Sequence, residues 1–151
     1  MGGLMARILL IGHSARAHAI AEAFKKNKAV KLYSFMKSKN PGIALLSEDI
    51  QVEAYSDLES IKEFAKKNKI DFAFIGPEDP LNDGVVNALQ EIGIASVGPT
   101  QSLAKLETSK SFTRDLLKKY NINGNPKFKI FNNNNLNDIN DFLNELNEVV
   151  I

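Results

Sequence analysis

The sequence predicts an α/β domain in which a parallel sheet carries helices on both faces. Short apolar runs alternate with stretches of helical periodicity, the pattern of strand–helix–strand units. The runs are rich in branched side chains and show little polar alternation, as strands buried on both faces require. Three of them stop at a glycine, Gly12, Gly76 and Gly98.

Ala6-Arg7-Ile8-Leu9-Leu10-Ile11 is the first such run, and Gly12 closes it. From Ala15 to Lys26 the apolar residues recur at helical spacing, with Ala19, Ile20, Ala23 and Phe24 expected on one face. Val30 to Met36 is the second strand, Asn40-Pro41-Gly42 a turn, and Ile50 to Tyr55 the third strand. Ser56-Asp57-Leu58-Glu59 has the form of a capping box, in which the Ser56 hydroxyl and the Glu59 carboxylate satisfy free backbone donors. The helix it opens carries Leu58, Ile61, Phe64 and Ala65 on one face and reaches about Asn68. Phe72 to Ile75 is the fourth strand, a helix from about Asp83 to Glu91 follows, and Ala95 to Val97 is the fifth strand.

The chain changes character after residue 108, and two regions are expected, 1–108 and 109–151. In the second, Ser109 and Lys110 begin a helix after a loop, and that helix runs to Tyr120. Asn123-Gly124 is a turn, Lys127 to Phe131 a strand, and Asp138 to Leu146 a helix. Asn132 to Asn135 is a low-complexity loop, and Val149-Val150-Ile151 reads as the start of another strand.

Composition removes several classes of function. The 151 residues are 44% hydrophobic, enough to fill a core, so wholesale disorder is not expected. Nineteen basic residues against 18 acidic ones leave a net charge of +1. That gives no electrostatic reason to expect a nucleic acid or an anionic membrane as partner. With no cysteine there is no disulfide, thiolate metal site or cysteine nucleophile, in keeping with a reducing cytoplasm. No run approaches the ~18 apolar residues of a membrane span. The opening Met1-Gly2-Gly3-Leu4-Met5-Ala6 lacks the regions of a signal peptide, and Ala6 stands where a myristoylation motif wants Ser or Thr. Met5 is an alternative start. A soluble, cytoplasmic protein is the expectation.

In open parallel sheets ligands bind outside the carboxyl ends of the strands. That rule selects Gly12 to Arg16, Gly76 to Asn82 and Gly98 to Thr100. Gly12-His13-Ser14-Ala15-Arg16 joins a strand to a helix, where free backbone N–H groups and the helix dipole favour an anion. Two readings stay open there, a phosphate seat and a plain strand–helix turn. The loop has only one of the glycines of Gly-x-Gly-x-x-Gly, and no acidic residue ends the second strand near Ser34 and Phe35, which disfavours NAD. Gly76-Pro77-Glu78-Asp79-Pro80-Leu81 is the most distinctive stretch. Two prolines stiffen a loop bearing two carboxylates, which accept hydrogen bonds from ribose hydroxyls or a protonated amine, or are simply solvated. His13 and His18 are five apart and lack a second ligand cluster, so no metal site is expected. Lys110 at a helix start opposes the dipole, a small cost that phosphate binding or plain solvation accommodates.

Taken in order, Ile8-Leu9-Leu10-Ile11-Gly12 leading into Arg16-Ala17-His18-Ala19, Asn40-Pro41-Gly42, Gly76-Pro77-Glu78-Asp79-Pro80-Leu81, and Gly98-Pro99-Thr100 with Leu106-Glu107-Thr108-Ser109-Lys110 resemble one family. It is phosphoribosylamine–glycine ligase, or glycinamide ribonucleotide synthetase, of the ATP-grasp superfamily. The resemblance covers nearly the whole chain. It implies a Rossmann-like, pre-ATP-grasp substrate-binding domain over 1–108 and the truncated beginning of an ATP-grasp domain over 109–151.

The activity implied is ATP-dependent joining of glycine to 5-phosphoribosylamine through a glycyl phosphate, in purine biosynthesis, with ATP and Mg2+ as cofactors. Carried over by motif, Gly12, His13 and Ser14 lie near the sugar phosphate and Pro41 and Gly42 form a neighbouring loop. Gly76, Pro77, Glu78 and Asp79 face the ribose or amine, and Lys110 reaches the ATP phosphates. No catalytic residue or metal ligand is assigned to this stretch, and alone it is expected to be inactive. Its implied partner is the remaining ATP-grasp domain, in the same or a separate chain. Other readings are a stand-alone sugar-phosphate-binding module and the N-terminal domain of another ATP-grasp ligase or carboxylase. The sequence departs from the family at Ser14, Ala15 and Ala17, where Gly, Gly and Glu are usual, so Cβ atoms narrow the approach to the first loop.

Overall fold

A computed structural model describes residues 5–131 and 136–146. They form two compact units that divide between Thr108 and Ser109.

In the first unit, β1 (Ala6–Ile11), β2 (Val30–Met36), β3 (Asp49–Val52), β4 (Phe72–Ile75) and β5 (Ala95–Val97) make one sheet in the order β3-β2-β1-β4-β5. Every pairing is parallel. The central strand β1 runs beside β2 from Ala6–Val30 to Ile11–Phe35 and beside β4 from Ile8–Phe72 to Ile11–Ile75. Leu9, Leu10 and Ile11 are wholly buried. This is the α/β architecture that the run pattern predicts.

Alternate residues of a strand point to opposite faces, so the sheet separates two cores. Leu9 and Ile11 pack with Ile61, Phe64 and Ala65 of α3 (Leu58–Lys67) and Val85, Val86 and Leu89 of α5 (Val85–Glu91). Leu10 packs on the other side with Ala17 and Ala21 of α1 (Ala15–Lys25) and Ile43 of α2 (Pro41–Leu46). The Phe24 ring meets Phe72 and Phe74 edge-on, at 6.4 and 5.8 Å between centroids. Two short helices, α4 (Asp79–Asn82) and α6 (Gln101–Thr108), complete the unit.

Several local expectations change. The inward face of α1 is Ala17, Ile20, Ala21 and Phe24, while Ala19 and Ala23 are exposed, because Ile20 and Phe24 set the helix's rotation on the sheet. Asn40-Pro41-Gly42 opens α2, where Pro41 loses no hydrogen bond because the first helical N–H has no partner in the helix anyway. Asp57, not Ser56, caps α3, since the helix starts at Leu58 and the Asp57 carboxylate accepts from Ser60 N at 3.0 Å. The third strand ends at Val52, and the chain then turns inward to bury Tyr55. The helix expected over 83–91 is α5, which starts at Val85 after Gly84, and the short α4, which the pattern did not announce, precedes it. Ser109 follows α6 directly rather than a loop.

In the second unit Ser109 caps α7 (Lys110–Lys119), accepting from Phe112 N at 3.3 Å. Asn125 donates to the Arg114 carbonyl at 3.1 Å and accepts from its guanidinium at 3.4 Å. The Phe131 ring stands edge-on to Phe142 of α8 (Leu136–Leu146), 6.0 Å away. Lys127 to Phe131 is not a strand: a strand needs a neighbour for its backbone groups, and this segment pairs with none among the described residues. The expectations for Met1 to Leu4, Asn132 to Asn135 and Val149 to Ile151 lie outside the described residues. Among the described residues no helix is long and apolar enough to cross a membrane.

Candidate functional site

All five strands of the first unit end at the same edge of the sheet, and their loops build the candidate site there. At the exit of β1, Gly12 has φ +151°, and a Cβ on it would stand 3.0 Å from both Ala17 Cβ and Pro77 Cδ. The turn is therefore closed down on α1 and on the exit of β4. Gly76 N donates to Ile11 O at 2.8 Å and Gly12 N to Phe35 O at 3.1 Å, which extends the sheet's bonding one residue past the strands.

Ser14 caps α1, its hydroxyl oxygen accepting from Ala17 N at 3.4 Å. That bond leaves the hydroxyl proton to donate elsewhere. The first turn of α1 carries no acidic side chain to offset its positive end.

Asn40 joins two loops. Its Oδ1 accepts from Gly42 N at 3.0 Å and Ile43 N at 3.2 Å, and its Nδ2 donates to the His13 carbonyl at 2.9 Å. Pro41 is exposed and Gly42 half-buried, and a Cβ on Gly42 would run into the His18 ring. His18 lies 3.7 Å from Glu22 along α1.

His13 is half-buried, and its Nδ1 lies 2.9 Å from the Tyr55 hydroxyl. Burial pushes the Tyr55 phenol up from its ordinary pKa. A backbone hydrogen bond from Lys37 works against that shift, and the negative charge of Asp79 adds to it.

Beyond Gly76 and the half-buried Pro77, the Glu78 carboxylate accepts from the Arg16 guanidinium at 3.3 Å. Both side chains are more than half exposed, so water screens the pair and it adds about 0–1 kcal/mol. Glu78 and Asp79, with Asn82, Glu107 and Thr108, line an open depression of about 330 Å³. Carboxylates accept hydrogen bonds and repel phosphate, so this side suits hydroxyls or an amine, and the start of α1 suits the anion.

The structure thus brings Gly12, His13, Ser14, Pro41, Gly42, Gly76, Pro77, Glu78 and Asp79 to neighbouring loops at one sheet edge. Lys110, the first residue of α7, is exposed and belongs to the second unit. Sequence reasoning missed Asn40 and Tyr55 as parts of the site. An Asn directly before a helix-opening proline was the available signal for the first. For Tyr55 there was only a large aromatic in a turn. The end of β2, Ser34-Phe35-Met36, is buried and offers no acid to a dinucleotide ribose. Among the described residues no group of three His, Cys, Asp or Glu is placed to hold a metal.

The family described as "Phosphoribosylglycinamide synthetase, N domain" matches residues 6–107, two thirds of the sequence. The chain belongs to this family. Phosphoribosylamine–glycine ligase of Methanocaldococcus jannaschii is 53% identical over 142 residues, covering 94% of this chain and 32% of that protein. The same enzyme of Pyrococcus furiosus is 48% identical over 127 residues, covering 84% and 29%. The chain therefore spans about a third of the length of the curated relatives it matches.

Among solved structures, phosphoribosylglycinamide synthetase from Anaerococcus prevotii aligns with a TM-score of 0.63 at 18% identity, over 91% of this chain and 34% of that one. N5-carboxyaminoimidazole ribonucleotide synthetase from Thermotoga maritima aligns with a TM-score of 0.68 at 18% identity, over 91% and 36%. The fold is that of the N-terminal domain of ATP-grasp enzymes. Within this phosphoribosylglycinamide synthetase N domain, three residues of the first loop have distinct places. Ser14 is the cap of α1, Ala15 faces solvent, and Ala17 is wholly buried beneath Gly12.

Proposed function

We propose that residues 1–108 form the sugar-phosphate site of a phosphoribosylamine–glycine ligase and that 109–151 begin its ATP-grasp domain, in the cytoplasm. In that reaction the glycine carboxylate takes the γ-phosphoryl group of ATP, giving glycyl phosphate and ADP. The amine of 5-phosphoribosylamine then attacks the acyl carbon, phosphate leaves, and an amide forms. Magnesium neutralises polyphosphate charge, and we assign its ligands to no residue of this chain.

The chain's own contribution is binding and orientation. The backbone N–H groups at the start of α1, the Ser14 hydroxyl and the His13 ring receive the sugar phosphate. Gly12 and Gly76 let the two turns approach each other, and Pro77 stiffens the second. Pro41 and Gly42 form a side wall. Glu78 and Asp79 accept from the ribose hydroxyls or hold the amine. Lys110 supplies a cation to the ATP phosphates once the remainder of the ATP-grasp domain is present, in the same or a separate chain. The 151 residues alone bind substrate and do not ligate it.

The observation that carries this reading is the pinning of the three motif loops to one another, through Asn40 to the His13 carbonyl and Arg16 to Glu78. A thermal-shift titration with ribose 5-phosphate, ATP and NAD tests it. For a Kd of ~1 mM, ~10 mM ribose 5-phosphate stabilises the chain by about 1.4 kcal/mol, a rise of about 3–5 °C. Glu78→Ala reduces that shift. A shift with NAD alone, or none with ribose 5-phosphate, overturns the reading.

A further inference from the structure

The exits of β1 and β3 meet at one buried phenol. Tyr55 follows β3 and is 2% exposed. Its hydroxyl is buried with it and feels the negative charge of Asp79, just past β4. Among the described residues its side-chain hydrogen-bond partner is Nδ1 of His13, just past β1, at 2.9 Å.

The direction of that bond follows from the donor and acceptor inventory. A buried hydroxyl proton needs an acceptor, and His13 Nδ1 is the acceptor within reach. The phenol also holds its proton firmly, because burial and Asp79 both oppose ionisation. Nδ1 of the neutral ring is thereby the acceptor, and the ring proton sits on Nε2. Nε2 makes no hydrogen bond among the described residues.

We propose that Tyr55 is a positioning residue that fixes His13 in its Nε2–H tautomer, so that the ring offers an N–H donor to a phosphate oxygen at the mouth of the first loop. The ligand in this statement rests on the sugar-phosphate reading above. The tautomer does not. A neutral N–H donor beside the start of α1 complements the backbone N–H groups there, whereas the opposite tautomer would turn a lone pair toward the anion.

The test is nitrogen NMR of the uniformly 15N-labelled 151-residue chain at alkaline pH, where two-bond correlations to the ring protons separate protonated from bare nitrogens. The chain has two histidines, and His13 is the ring whose signals vanish in His13→Gln. The expected result is a protonated Nε2 and a bare Nδ1 in the free chain. In Tyr55→Phe, which keeps the buried ring, both nitrogens move toward the averaged positions of a mixed tautomer. A packing role alone would leave them unchanged. Ribose 5-phosphate and inorganic phosphate should each shift the Nε2 signal of the wild type, and Tyr55→Phe should weaken ribose 5-phosphate binding about two- to tenfold.

A proton on Nδ1 in the wild type, or an unaltered pattern in Tyr55→Phe, overturns the proposal even if ribose 5-phosphate binds. A fixed Nε2–H tautomer that neither ligand perturbs supports the Tyr55–His13 arrangement and overturns the sugar-phosphate reading instead.

Discussion

Replacing Gly12 by alanine measures how tightly the first loop is closed. The backbone there has φ +151°, a region that residues with a Cβ rarely enter, and forcing one into it costs about 1–3 kcal/mol. The added methyl would also stand 3.0 Å from Ala17 Cβ and Pro77 Cδ. Neither neighbour is the free end of a flexible side chain, so α1 or the β4 exit must move, at about 1–3 kcal/mol for overpacking. The total is about 2–6 kcal/mol. Gly93→Ala is the control, because its φ is +77° but nothing lies within 4 Å of the new Cβ, so it bears the backbone cost alone. Urea unfolding of both variants, followed by circular dichroism, reads the difference. Gly12→Ala should be the less stable by about 1–3 kcal/mol. Equal midpoints and slopes would refute the claim that Gly12 sits pressed between α1 and the second loop.

Asn40→Ala removes the cap of α2 and the bond to the His13 carbonyl together, and a loss of about 2 kcal/mol in urea unfolding is expected. A loss no larger than that of an exposed-surface substitution would mean that the two loops are not joined through this side chain. Burial pushes the Asp49 carboxyl up, but hydrogen bonds from Lys67 and Asn68, the Lys67 charge and the Ile50 N–H together hold it below its ordinary value. Its folded pKa lies under its unfolded one, so its contribution is present above the unfolded carboxylate range, at about pH 4, and fades as pH falls through the folded value. Asp49→Asn should therefore flatten the acid side of the stability–pH curve. A curve of unchanged steepness would count against this ion pair.

The sheet was legible because β1, β2 and β4 are covered on both sides, and such strands cannot hide among polar alternation. Their ends were legible because Gly12 and Gly76 sit where the backbone must turn under a close neighbour. Boundaries that depend on a cap were less so: Ser56 and Asp57 are both good caps, and only the start of α3 decides between them. Lys127 to Phe131 has the composition of a strand, but composition does not supply the neighbouring strand that the state requires. The three site loops followed from the rule for parallel sheets. Tyr55 and Asn40 did not, since their partnership with His13 spans 42 and 27 residues and depends on which strands lie side by side. Strand order is a property of the whole packed domain, and no local pattern encodes it.

The order β3-β2-β1-β4-β5 also shapes how the domain is made. β1 gains its first neighbour early, through the short β1–α1–β2 unit, but its second edge waits for β4, and the Arg7–Asp71 contact that marks this junction joins residues 64 apart. At a synthesis rate of about 5–20 residues per second, that interval lasts about 3–13 s. Throughout it the wholly apolar stretch of β1, Ile8-Leu9-Leu10-Ile11, has a bare row of amides and carbonyls open to any passing strand. Closing the long loop adds little, because its entropic cost grows only with the logarithm of length. The hazard for the growing chain is thus one of timing: its future centre spends those seconds as an edge.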